Sequence, residues 1–181
     1  TGTTTYAYSS SGQVVGVTNP GGWRLTYEYD ATGSRTLLID PDGGRCTYSY
    51  DALGRVATVL NAAGTLITYE YDADGNLTTL TSGERKLMSY DALGRLITEV
   101  QQNSGGTPIL TMVDTYDAAG RKTKQVKNSA TTTFTYDNAD RLLSQQRPGG
   151  KSVTYTLDTA SNLKTIKAEG AQTVSMALNS Q

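Results

Sequence analysis

The chain has 181 residues and a formal net charge of −1, from 16 basic and 17 acidic side chains. This balance gives no basic surface for nucleic acid or an anionic membrane, and no apolar run approaches the roughly 18 residues of a membrane span. Histidine is absent and Cys46 is the single cysteine, so the sequence excludes a Ser-His-Asp triad, histidine metal sites and an internal disulfide.

The twelve tyrosines fall on two positions of one repeating unit. Seven lead a Tyr-Asp-x-x-Gly-Arg-like motif, and the other five each stand two residues earlier. Successive leading positions are 21, 21, 21, 19, 26, 20 and 21 residues apart. The leading residues are Tyr8, Tyr29, Tyr50, Tyr71, Tyr90, Tyr116, Tyr136 and, in an eighth copy, Leu157. A fixed period in this range predicts a single repeat array over residues 1–181.

The third copy illustrates the structure predicted for each repeat. Tyr48 and Tyr50 alternate as in a strand, and residues 51–54 (Asp-Ala-Leu-Gly) are typical of a tight turn. Residues 55–60 return as a second strand, and residues 61–64 (Asn-Ala-Ala-Gly) form the next turn. Eight copies therefore predict about sixteen short antiparallel strands and almost no helix.

The fold class that follows is an all-β, antiparallel β-hairpin repeat array. An open sheet rarely continues beyond about ten strands without curling, so we expect a curling, spiral β-sheet. The first and last strands of such a sheet would be open edges, which favours edge-to-edge self-association. The 26-residue interval predicts a longer hairpin loop near residues 101–106, in the least regular part of the array.

The repeated aspartates allow a structural and a chemical interpretation. They could form a metal-binding ladder or paired catalytic carboxylates, but each precedes a turn, where an aspartate caps backbone amides. The arginines that follow could pair with them or pack over tyrosine rings. We therefore predict no catalytic residue, no metal ligand and no cofactor. Besides the leading residues, the predicted structural motif comprises Asp30, Gly33, Asp51, Gly54, Arg55, Asp72, Gly75, Asp91, Gly94, Arg95, Asp117, Gly120, Arg121, Asp137, Arg141 and Asp158.

Three further features each have a structural and a functional interpretation. Trp23 follows a turn and is a candidate sugar contact, because aromatic rings pack against apolar sugar C–H groups. Asp42 belongs to an Asp-Pro-Asp-Gly stretch, which we interpret as a proline turn and not as a cleavage site. Cys46 lies in a predicted strand, two residues before Tyr48, and is interpreted as a buried structural thiol.

The motif resembles a known repeat. Residues 50–56 (Tyr-Asp-Ala-Leu-Gly-Arg-Val) and 90–96 (Tyr-Asp-Ala-Leu-Gly-Arg-Leu) are similar to the core of the YD repeat of Rhs-type proteins, and residues 116–121 follow it closely. The resemblance extends over essentially the whole chain. The family includes bacterial polymorphic toxins, the shell component of insecticidal toxin complexes, and teneurins.

The resemblance implies a spiralling sheet that builds a hollow shell around a toxin or another polypeptide. It implies partners in other segments of that shell, and a secreted or cell-surface bacterial protein. YD repeats have also been linked to carbohydrate binding, which leaves a surface carbohydrate-binding module as the alternative function. The chain shows neither a toxin domain nor the family's self-cleaving region, so we expect a non-catalytic segment of a longer shell.

Overall fold

The computed structural model describes residues 2–169 and 174–175. It is an all-β structure with one 3-10 turn, at Pro148–Gly150. The strands are β1 (Thr5–Tyr8), β2 (Val14–Thr18), β3 (Arg24–Tyr29), β4 (Arg35–Ile39), β5 (Arg45–Tyr50), β6 (Val56–Leu60), β7 (Leu66–Tyr71), β8 (Leu77–Ser82), β9 (Glu84–Tyr90), β10 (Leu96–Gln102), β11 (Pro108–Tyr116), β12 (Lys122–Lys127), β13 (Ala130–Tyr136), β14 (Leu142–Gln146), β15 (Ser152–Leu157), β16 (Leu163–Ala168) and β17 (Val174–Ser175).

The chain divides into two compact units, residues 1–86 and 87–181. In the first unit, β1 to β8 form an antiparallel meander in which each strand pairs with the next. In the second unit, β10 to β17 follow the same order. The predicted all-β array of antiparallel hairpins is therefore confirmed. That residues 1–181 act as one array stays a prediction.

One turn geometry recurs along the chain because an aspartate or asparagine begins nearly every turn. The Asp51 amide donates to the Arg55 carbonyl (2.8 Å), and the Gly54 amide donates to the Asp51 carbonyl (3.0 Å). Asp51 Oδ1 accepts the amides of Leu53 and Arg55, both at 2.9 Å. Gly54 has φ +76°, a conformation that a residue without Cβ adopts at little cost. The result is a short hairpin loop of the kind that ends in a left-handed residue.

The second class of turn, between one repeat and the next, has the same geometry. Asn61 Oδ1 accepts the amides of Ala63 (3.0 Å) and Thr65 (2.9 Å). Asp40 does the same at the predicted proline turn, where it accepts the amides of Asp42 (3.0 Å) and Gly44 (2.7 Å). An asparagine and an aspartate are therefore interchangeable as caps of this turn.

A β-bulge marks the leading residue of the motif. Tyr50 pairs with Val56, and the register shifts between Ser49 and Tyr50. The same shift occurs at the leading residues of β1, β3, β7, β11, β13 and β15. A bulge interrupts the ladder and increases the local twist. Seven of the eight copies therefore have a β-bulge at the same position of the motif.

The strands have a tyrosine face and a polar face. In the first unit Tyr27, Tyr48 and Tyr69 are half-buried, while Glu28 and Ser49, beside them in sequence, point the other way and are exposed. Among the described apolar side chains Leu37, at 3% exposure, is the only buried one, and none is fully buried. A conventional core therefore contributes little, and most burial comes from contacts between neighbouring strands.

The insertion in the 26-residue interval has a different form from the one expected. It lengthens β10 to seven residues and β11 to nine. The turn between them is as short as the others, because Asn103 caps the amides of Gly105 (3.0 Å) and Thr107 (2.9 Å). The prediction of a longer loop is therefore wrong, because the extra residues lengthen the two strands of the hairpin.

We predict unequal effects of tyrosine truncation along the array. Tyr50→Ala should lower the free energy of unfolding by about 3 kcal/mol, because it removes a packed aromatic ring and a hydrogen bond. Tyr8→Ala should cost less than about 1 kcal/mol, because the Tyr8 side chain is 61% exposed. Urea denaturation of both variants measures the difference. Equal and small losses would contradict a packed tyrosine row.

Candidate functional site: the joint between repeats

A joint is the set of contacts between the motif residues of two consecutive repeats, and five joints contain a hydrogen bond that runs backwards along the chain. The hydroxyl of Tyr50 donates to the carbonyl of Arg35 at 2.7 Å, and Arg35 is the residue that pairs with the previous leading tyrosine, Tyr29, at its bulge. The same bond joins Tyr29 to Val14 and Tyr71 to Val56 in the first unit. The bonds in the second unit join Tyr116 to Leu96 and Tyr136 to Lys122.

An arginine connects its own turn to the next repeat along the chain. Arg55 Nε donates to Asp51 Oδ2 in its own turn (2.7 Å), and Arg55 Nη1 donates to the carbonyl of Asp72 in the next turn (3.1 Å). The guanidinium carbon lies 4.5 Å from the centre of the Tyr71 ring. One side chain thus makes an ion pair, a hydrogen bond and a cation–π contact, which the planar guanidinium can do at once.

The second unit repeats this contact set. Arg95 bonds Asp91 and the Asp117 carbonyl and lies 4.7 Å from the Tyr116 ring centre. Arg121 bonds Asp117 and the carbonyl of Asp137, and lies 5.1 Å from the Tyr136 ring centre. Arg141 bonds Asp137 and the Asp158 carbonyl, but the next leading residue is Leu157, so no aromatic ring stands there. The two arginine roles considered from the sequence occur together in one side chain.

Four copies have a different residue at the arginine position. Gln13 reaches the carbonyl of Gly33 at 3.5 Å. Asn76 and Asn162 donate to the aspartates of their own turns, Asp72 and Asp158. Ser34 is too short to leave its turn, and its hydroxyl lies 3.2 Å from that of Thr32. The joints are therefore chemically unequal.

The turn aspartates are held in their ionised form. The backbone amide of Arg55 lowers the pKa of Asp51, and the Arg55 side chain lowers it further, against an opposing effect of burial. The corresponding arginine amides lower the pKa of Asp117 and Asp137. For Asp30 the largest effect is the Thr32 hydroxyl, which also lowers the pKa. These carboxylates act as hydrogen-bond acceptors for the turn.

Asp114 is the one copy in which a carboxylate replaces the paired aromatic residue and is buried. Its exposure is 6%, and it forms an ion pair with Lys122. Gln125 Nε2 donates to its other oxygen at 3.0 Å. Both carboxylate oxygens are therefore satisfied, as burial of a charge requires. The sequence identified the substitution but gave no signal for the two partners.

The remaining candidates lie on the hairpins. Trp23 follows a turn capped by Asn19 and is 56% exposed. It borders a cleft of about 240 Å³ together with Arg24 and Pro41. Asp42 is in the turn capped by Asp40. Cys46 is half-buried, so the expectation of a buried thiol is only partly met.

The described residues contain neither a metal-type cluster of side chains nor an apolar helix long enough to span a membrane. In that part of the chain, no cluster of three or more cysteine or acidic side chains has the arrangement of a metal site. The same residues include no helix with the length and apolar character of a membrane span.

These hairpins define an all-β repeat protein whose motif side chains join one repeat to the next. The RHS Repeat family model matches residues 8–45, 35–66, 50–87 and 116–152, which is more than half of the chain. The chain therefore belongs to the RHS repeat family. No curated protein sequence matches it.

Solved structures of toxin-complex proteins share the fold. The TcdB2-TccC3-Cdc42 crystal structure matches 99% of this chain with a TM-score of 0.76 and 18% identity. TcdB2-TccC3 without its hypervariable C-terminal region matches 93% with a TM-score of 0.77 and 18% identity. The Tc holotoxin pore of Photorhabdus luminescens, in a TccC3 variant, matches 90% with a TM-score of 0.74 and 18% identity. The chain spans only 11–12% of the length of these matched chains.

We predict that stability falls in acid through the turn aspartates. Because folding lowers their pKa, their contribution is complete above the unfolded value of about 3.9 and is lost as the pH falls through the folded value. The free energy of unfolding should be level from about pH 7 to 5 and decrease below about pH 4. Urea denaturation across this range measures it.

Asp51→Asn is the matched variant for this prediction, because Asn61 shows that asparagine caps the same turn. The variant should be less stable than the parent at neutral pH and should lose less stability in acid. An identical acid slope in parent and variant would contradict the assignment to Asp51.

Proposed function

We propose that this chain is a structural segment of a larger RHS-type shell, which encloses or presents a toxin or another polypeptide. The observation that carries the proposal is the joint: the tyrosine, aspartate and arginine of the motif hold consecutive repeats together. Such a segment functions by forming an unbroken part of the shell wall, and it catalyses no reaction. Membership of the RHS repeat family and the fold shared with TcdB2-TccC3 support it.

A non-catalytic role is consistent with the state of the motif carboxylates. Asp51, Asp117 and Asp137 each accept two backbone amides and an arginine, so three of the roughly four lone pairs of each carboxylate are already used. A general base or nucleophile must instead reach a substrate. We propose that the chain is not an enzyme.

The tyrosine face is the surface that we assign to the enclosed polypeptide. Except for Tyr6 and Tyr8, its tyrosines are half-buried, and the opposite face carries exposed Ser, Thr and Glu side chains. By family resemblance we place the shell outside a bacterial cell or at its surface. We also propose that open strand edges allow self-association, since all four residues of β1 are exposed.

A chimaeric shell tests the proposal. Residues 8–157 would replace the equivalent repeats in TcdB2-TccC3, and protease digestion of the hypervariable C-terminal region would report whether the wall is closed. We expect protection equal to that of the parent. The matched control carries Tyr50→Ala and Tyr71→Ala, which break two joints. A soluble chimaera whose C-terminal region is digested as fast as in the control would contradict the proposal.

Carbohydrate binding is the second candidate, and the exposure of Trp23 beside a cleft favours it. On a glycan array the parent should bind particular sugars, and Trp23→Ala should abolish that binding. Leu53→Ala is the control, since Leu53 is another exposed apolar turn residue, at 72%. Absence of binding by the parent, or equal binding by Trp23→Ala, would exclude this function.

A further inference from the structure

The joint between the second and third copies contains a cleft where four other copies carry an arginine. Ser34 stands at the position that Arg55 occupies one repeat later. The cleft has a volume of about 580 Å³, and Asp30, Ser34, Tyr50 and Asp51 lie on its wall. It is therefore a joint from which one side chain of the motif is missing.

The neighbouring joint shows what that side chain does. The guanidinium of Arg55 contacts three groups: Oδ2 of the aspartate in its own turn, the carbonyl of the next aspartate, and the ring of the next leading tyrosine. The corresponding groups in the cleft are Asp30 Oδ2, the Asp51 carbonyl and the Tyr50 ring. All three are present although the arginine is not.

The hydrogen bonds of these groups leave room for a donor. Asp30 Oδ1 accepts the Thr32 amide (2.9 Å), the Thr32 hydroxyl (2.6 Å) and the Ser34 amide (2.9 Å). Within the described residues, Oδ2 of Asp30 has no donor. The Asp51 carbonyl accepts the Gly54 amide (3.0 Å), and no side chain of the described part adds a second bond to it.

We propose that this cleft binds the guanidinium group of an arginine supplied by a partner polypeptide. Its planar fork can donate to a carboxylate and a carbonyl while lying flat on an aromatic ring, whereas the ammonium of lysine is a point charge. The arginine would complete in trans the contacts that Arg55, Arg95 and Arg121 make in cis. This inference does not depend on the shell proposal.

A nearby positive charge limits the affinity. Arg35 stacks on the Tyr48 ring at 4.6 Å, and Tyr48 also lines the cleft, although Arg35 itself does not. The cleft is open to solvent, so a single arginine should bind with a Kd of the order of 1 mM. A partner that presents the arginine on an ordered segment would gain affinity from its other contacts.

The test is an NMR titration of the 181-residue chain with N-acetyl-arginine amide. We expect saturable shifts of the backbone amides of Thr32, Ser34 and Gly54. The lysine analogue should bind at least fivefold more weakly, and the citrulline analogue, which is uncharged and of similar shape, should cause no saturable shift. Equal responses to all three compounds, or no local response, would overturn the proposal.

Two variants separate this site from general binding to aromatic surfaces. Ser34→Arg supplies the guanidinium in cis, so it should raise the melting temperature and weaken binding at least tenfold. Asp30→Asn should also weaken binding at least tenfold while retaining the turn, as Asn61 does in its own turn. Asp72→Asn removes the same charge elsewhere and should bind like the parent. Unchanged affinity in Asp30→Asn would overturn the proposal even if Ser34→Arg does not fold.

Discussion

The structure depends on the bond between the hydroxyl of a leading tyrosine and the backbone of the preceding repeat. Leu37 is the one buried apolar side chain among the described residues, so stability must come mainly from nearest-neighbour contacts. The bulge at each leading residue interrupts the ladder, and the next tyrosine donates to the carbonyl opposite that bulge, as Tyr71 does to Val56. The carbonyl opposite the bulge of one repeat thus accepts the hydrogen bond from the next repeat.

The arginine contacts the following repeat, whereas the tyrosine bonds the preceding one. Tyrosine reaches back to the earlier repeat, while Arg55 reaches forward from its own turn to Asp72 and Tyr71. A joint that has both the tyrosine and the arginine is held by contacts from both repeats. The aspartate that caps the turn also orients the arginine. Where arginine is replaced by asparagine, as at Asn76, the side chain stays within its own turn. The strength of a joint therefore depends on which residue occupies the arginine position of each repeat.

The sequence predicted the hairpins well because their signals are local. Alternating tyrosines indicate strands, and aspartate with glycine three residues later indicates the turn. The acceptor of the tyrosine hydroxyl could not be predicted, because it is a backbone carbonyl and carries no side-chain identity. The form of the insertion could have been predicted: Asn103 and Gly106 have the same spacing as Asn61 and Gly64, which signals a short turn between longer strands.

In a repeat protein that uses its motif for its own joints, unused hydrogen-bonding groups are to be expected at the positions that depart from the motif. Ser34 leaves a carboxylate, a carbonyl and a ring without the usual arginine. Asp114 places a charge in the aromatic row, where Lys122 and Gln125 satisfy it, so this departure is already compensated within the chain. The contrast matters for function, because a compensated departure has no free group for a ligand, whereas an uncompensated one does. Specificity should therefore be sought first at the joint in which Ser34 replaces the arginine.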